Sequence, residues 1–156
     1  MTRRHCLPLV WAFLCVSSWI ALTGLTHPPL AAPALQDPSR SVRDGVFSAA
    51  QASRGESVYA EECARCHAPN LSGGESSPAL TGQPFLQVYE GLTVHDLFER
   101  IRSSMPQESP GRLTRQQYLD IVVFLLSKNG FAAGDADLST DDAALKQIRI
   151  DPPKPR

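Results

Sequence analysis

The sequence predicts an all-α domain with three main helices joined by long loops. Ser48, Thr93 and Thr114 are each followed three residues later by Gln or Asp, a spacing that marks helix starts. The second and third of these open apolar residues at helical spacing, whereas alternating strand patterns are missing. Between the runs, Gly, Pro and Ser accumulate, which reads as loop.

Ser48 and Gln51 form a candidate capping box, opening a helix that runs to about Cys63. Gly55, Tyr59 and Cys63 follow at steps of four and so share a face. A glycine inside a helix costs roughly 1 kcal/mol against alanine, and close approach of another helix is the reason it predicts. PNLSGGESSPALTGQP, after His67, is loop by composition. Thr93 with Asp96 opens a second helix whose Val94, Leu97, Phe98 and Ile101 make one apolar stripe. It ends before Met105-Pro106, because the residue preceding proline is pushed out of helical geometry. PQESPGR is turn-rich. Thr114 with Gln117 opens the third helix, with Tyr118, Ile121, Val122 and Leu125 as its buried face. Asn129-Gly130 is a stop, both residues tolerating left-handed backbone. Leu138 to Ile148 predicts one short helix, and the DPPKPR end predicts disorder.

The start of the chain reads as an export leader over residues 1–34. Arg3 and Arg4 precede the apolar run Cys6–Leu25, and AAPA at Ala31–Ala34 supplies small residues for cleavage. The alternative is an uncleaved membrane anchor, since the run is about long enough to span a bilayer. Residues 35–47 lack periodicity and read as a flexible segment, 48–130 as the folded domain, and 131–156 as a C-terminal extension. Beyond the leader stand 13 basic and 16 acidic residues. That excludes a broadly basic nucleic-acid surface. With Lys128, Lys146 and Lys154 as its lysines, it also excludes a dense lysine ring for docking. The predicted location is the periplasm, or the membrane if the leader is retained.

Cys6 and Cys15 fall in the leader, so Cys63 and Cys66 are the thiols of the exported chain. In CARCH they are followed by His67. A zinc site built on these three wants a fourth ligand, with His95 as the remaining histidine. A thioredoxin-like pair should follow a strand and open a helix, whereas this pair closes a helical run. Cys-x-x-Cys-His is the attachment motif of c-type haem. Two thiols on adjacent turns each add to one vinyl group as a thioether, and the next residue, His67, binds the iron. Export fits this chemistry, because a covalently held cofactor does not leak away. One haem c, held covalently, is the predicted cofactor.

For the sixth iron ligand, Met105 is the methionine outside the leader. It lies in a loop, off the apolar stripe, rather than at a core-filling position. His95 is the competitor, flanking the second stripe, with a solvated histidine as its alternative role. Methionine is a neutral, soft donor and raises the reduction potential. With both axial positions filled by protein, no coordination site is open to oxygen, peroxide or substrate. Electron transfer is then the use that remains, and a haem enzyme or gas sensor with a labile sixth ligand is the alternative class.

On these residues the chain resembles the class I, single-haem cytochromes c. Gly55, Tyr59, Cys63, Cys66 and His67 match the first helix of that family, and Ile121 and Phe124 in DIVVFLL match the face it crosses. The resemblance covers about residues 48–130 and implies a cytochrome c-like fold. It further implies that the Pro78 carbonyl, in SPALTG, accepts a hydrogen bond from the other nitrogen of His67. Leu80 would then pack on the porphyrin. PALTGQPFL, TVHDLFERIRSSMP and PGRLTRQQYLDIVVFLLSKNGF, with the acidic tail, also resemble small cytochromes c associated with quinoprotein, PQQ-dependent dehydrogenases. That likeness implies redox protein partners: a quinoprotein dehydrogenase as donor, another cytochrome or a terminal oxidase as acceptor. The chain is then a free carrier or an obligate subunit of the dehydrogenase complex. Arg102 and Tyr89 are candidate partners for a haem propionate, against a solvated arginine and a core tyrosine. Arg65 is solvent-facing or a docking residue.

Overall fold

Residues 38–153 are described by the computed structural model. The leader over 1–34, the start of the 35–47 segment and the last three residues of the extension lie outside them. In chain order the elements are β1 (Arg40–Ser41), a 3-10 turn (Val42–Asp44), α1 (Ala49–Glu62), α2 (Ala64–His67) and α3 (Gln83–Tyr89). Then come α4 (Val94–Ser104), α5 (Arg115–Lys128), α6 (Asp142–Lys146) and β2 (Ile148–Arg149). Helices dominate, with long loops between them, as the sequence predicts. No helix among the described residues is long and apolar enough to cross a membrane.

α1 starts at Ser48, whose Oγ accepts from the Gln51 amide at 3.0 Å. The reciprocal arm of the expected box is replaced. Gln51 is fully buried; its Nε2 donates to the Leu138 carbonyl at 3.2 Å and its Oε1 accepts from the Leu138 amide at 2.7 Å. Thr93 with Asp96 and Thr114 with Gln117 make both arms.

α1 crosses α5 at Gly55, where a Cβ would stand 1.8 Å from the Asp120 carbonyl oxygen and 2.9 Å from the Phe124 Cβ. One turn on, Tyr59 packs on Phe124 with ring centroids 5.1 Å apart. α5 is buried from Tyr118 through Leu126, beyond the stripe its periodicity predicts, because α1 and α4 both pack on it. The buried Asp120 carboxylate accepts from Arg54 Nε at 3.3 Å and from Gln116 Nε2 at 2.7 Å, so it is not left unpaired.

Several expectations need correction. Residues 38–47 are not flexible: Val42 and Phe47 are fully buried and β1 pairs in parallel with β2. Residues 131–153 are no appendage, since Phe131, Leu138, Leu145, Ile148 and Ile150 complete the core. The folded unit therefore exceeds 48–130 at both ends. Its strands of two residues each are too short for alternation to reveal. α6 spans five residues rather than the whole of 138–148. α3 stands where a loop ran into an unassigned stretch. Asn129 keeps an ordinary φ of −88°, and Gly130 alone of the stop pair takes the left-handed turn, at φ 88°.

The crossing at residue 55 has no room for a side chain. Gly55→Ala is expected to lower the unfolding free energy by about 2–3 kcal/mol, the cost of overpacking a tight core. Denaturant titration followed by circular dichroism checks it, and an unchanged midpoint would contradict the crossing.

Candidate functional site

α1 breaks at Cys63, with φ −124° and ψ −33°, and α2 adds one further turn carrying Cys66 and His67. Cys63 is partly buried and Cys66 exposed. They line one wall of a cleft with about 1070 Å³ of empty space, part of it open to solvent. His67, Pro78 and Met105 line the same cleft, and Leu80, Phe85, Leu97, Ile101, Ile121 and Leu125 make it apolar.

Hydrogen bonds from helices fix the loops around the cleft. His67, 8% exposed, has Nδ1 2.9 Å from the Pro78 carbonyl oxygen. A carbonyl can only accept, so Nδ1 is the donor, and in the neutral ring Nε2 is then the nitrogen with the free lone pair. The Tyr59 hydroxyl donates to the Ala68 carbonyl at 2.7 Å, and the Tyr118 hydroxyl to the Met105 carbonyl at 2.8 Å. Asn129 Nδ2 donates to the Leu80 carbonyl at 3.0 Å while its Oδ1 accepts from the Gly82 amide at 2.9 Å. Burial, and then the neighbouring Cys66, pushes the Cys63 thiol up to about 11. Burial, and then Cys63, pushes the Tyr59 phenol up to about 12. Both are neutral at pH 7.

Other candidates lie elsewhere or serve other contacts. His95 does not line the cleft; its Nε2 faces the Asp142 carboxylate at 3.5 Å. His95, Glu99 and Asp142 bring ligand atoms within 4.8 Å of one another. Arg102 grips both oxygens of Glu99, at 3.0 and 2.7 Å, and Arg115 pairs with Asp142, so guanidinium groups already hold these carboxylates. Arg102 is thereby turned to Glu99 and is absent from the cleft lining. Tyr89 does line it, half-buried and 4.9 Å from the Phe85 ring; burial pushes its phenol up, and Arg100 partly opposes this. Arg65 is exposed and pairs with Glu108.

The anchors are not legible in the sequence. Tyr118 and Tyr59 read as core aromatics and Asn129 as a helix stop, and nothing local tells which distant carbonyl each will hold. Phe85 and Tyr89, four apart behind Pro84, were a signal for α3, too short to show a period.

Two thiols three residues apart, an imidazole with its tautomer set, a thioether and apolar walls fit a flat apolar macrocycle with two vinyl arms and a central metal. Fold and site together define a c-type cytochrome. Residues 50–125 match the family described as cytochrome c oxidase, cbb3-type, subunit III. Among solved structures, the sulfane dehydrogenase SoxCD from Paracoccus pantotrophus is similar at 21% identity, over 82% of this chain and 68% of that one, with a TM-score of 0.48. That likeness is too distant to bear on function. A search of curated proteins gave no match. The chain carries a class I c-type cytochrome domain, a domain that binds haem c for electron transfer.

Ala68 follows His67 at φ 63° and ψ 151°, a region that favours glycine. Ala68→Gly is expected to raise the unfolding free energy by about 0.5–1 kcal/mol. Tyr59→Phe should lower it by about 1 kcal/mol through loss of the bond to the same carbonyl. Thermal denaturation of the haem-loaded protein checks both signs.

Proposed function

We propose that the protein is a single-haem electron carrier of the periplasm, with the cofactor tethered at Cys63 and Cys66 and its iron held by His67 and Met105. The observation that carries this reading is the meeting of these four side chains at one apolar cleft, with His67 Nδ1 committed to the Pro78 carbonyl. That bond orients the ring and makes Nε2 a better donor. A bound haem supplies a one-electron ferric–ferrous couple. With the group bound, the apolar walls would keep water from it, Leu80 would pack on it, and the exposed Cys66 would mark the side from which a redox partner reaches the site. With Met105 and His67 both committed, substrate has no place on the metal, which sets the carrier apart from an enzyme or gas sensor.

A second reading makes the chain an obligate subunit of a larger oxidoreductase, such as a quinoprotein dehydrogenase. The family matched over 50–125 takes its name from an oxidase subunit, which favours that class of role. Co-purification with a large partner through a salt-resistant contact separates a subunit from a free shuttle. Export rests on the leader over 1–34.

Acid–solvent denaturation is expected to leave the haem on the polypeptide, and extraction of free haem would refute the thioethers. The mass of protein taken from its own cell envelope reports haem attachment and leader removal together. Met105→Ala should lower the reduction potential and abolish the sulfur-to-iron absorption band. If both stay as they were, the sixth ligand lies elsewhere. Slow or negligible carbon monoxide binding to the reduced protein is expected, and rapid stoichiometric binding at neutral pH would favour the enzyme or sensor class.

A further inference from the structure

Residues 107–112, between the buried Pro106 and the approach to α5, are exposed throughout. Two of their side chains make ion pairs, and both reach the segment carrying the haem motif. Arg112 pairs with Glu62 at the end of α1, and Glu108 pairs with Arg65 inside the motif itself. The contacts fall on either side of Cys63. They differ in exposure: the Glu62 side chain is 16% exposed and Arg112 46%, against 79% for Arg65 and 59% for Glu108. Solvent and salt screen the outer pair, so the inner one holds more firmly. Tyr118 holds the Met105 carbonyl, a bond to the backbone and not to the thioether. Restraint on the outer loop must come from its own contacts, and no buried apolar side chain within 107–112 provides it.

We propose that Glu62 and Arg112 are positioning residues: their ion pair clamps the loop after Met105 to the haem-attachment segment and so keeps the thioether in the cleft. The proposal rests on the reading of Met105 as axial ligand. The outer Arg65–Glu108 pair contributes little.

Imidazole, titrated into the ferric holoprotein, competes with Met105 for the iron and is followed by loss of the sulfur-to-iron band. At low salt, Glu62→Gln and Arg112→Gln should each tighten imidazole binding about three- to fivefold. Arg65→Gln should change it less than twofold. The reversed pair, Glu62→Arg with Arg112→Glu, should restore the wild-type affinity, which a loss of general stability would not do. Added salt should bring the wild type toward the single variants. Single variants that bind imidazole as the wild type does, or a reversed pair that stays as open as they are, would overturn the clamp. Met105→Ala separates the two claims. If the wild type already binds imidazole as tightly as Met105→Ala, the axial reading falls and the clamp with it. If Met105→Ala binds far more tightly while Glu62→Gln does not differ from wild type, the clamp alone falls.

Discussion

The interhelical distance at Gly55 is the constraint on which the site depends. α1 carries Tyr59 and ends at the first cysteine, while α5 carries Ile121 and Leu125 into the same cleft. With a Cβ position 1.8 Å from the Asp120 carbonyl oxygen, any side chain at 55 would have to part the two helices that make the cleft wall. Glycine's roughly 1 kcal/mol helix penalty is offset by what the approach permits: an apolar interface along α5 and the Tyr59–Phe124 ring contact. Arg54, the neighbouring residue, reinforces the crossing by reaching both Asp120 on α5 and Asp137 in the C-terminal segment. Asp137 is held below the usual carboxylate range, first by the Ser48 hydroxyl and then by Arg54.

What could be read beforehand was whatever is encoded within a few residues. The Ser/Thr starts, the stripe of α4 and the glycine at 55 are local patterns with local causes, and the haem motif sits within five consecutive positions. What could not be read depends on partners far along the chain. Gln51 looked like half of a capping box, yet it is spent on Leu138, 87 residues away. The segment 131–150 shows no regular spacing of apolar residues, because it crosses the core as an irregular strap that buries one residue here and there. Its contribution appears only once α5, buried over nine consecutive residues, needs covering on a further side. β1 and β2, each two residues long, have no period to detect.

The polar groups around the cleft obey one rule. Each loop that forms its wall has a carbonyl held by a side chain from another part of the fold: Ala68 by Tyr59, Pro78 by His67, Leu80 by Asn129, and Met105 by Tyr118. No buried side-chain nitrogen or oxygen among the described residues lacks a partner. Loops of this composition would otherwise be the most mobile parts of the domain. Because three of the four donors stand on α1, within α5 or at its C-cap, the wall inherits the rigidity of the crossing itself.

Such a wall suits one-electron exchange better than substrate turnover. A catalytic pocket has to admit a molecule, close on it and reopen, and its loops come from the weakly held end of a structure. Here the loops nearest the motif are pinned by buried donors, so a change in charge at the centre meets side chains already fixed in place. The exposed stretch 107–112 is the exception, tied by ion pairs rather than by buried hydrogen bonds. Ion pairs at a surface yield to salt and to other charges, so a charged partner arriving at the Cys66 side would meet the part of the wall that can respond.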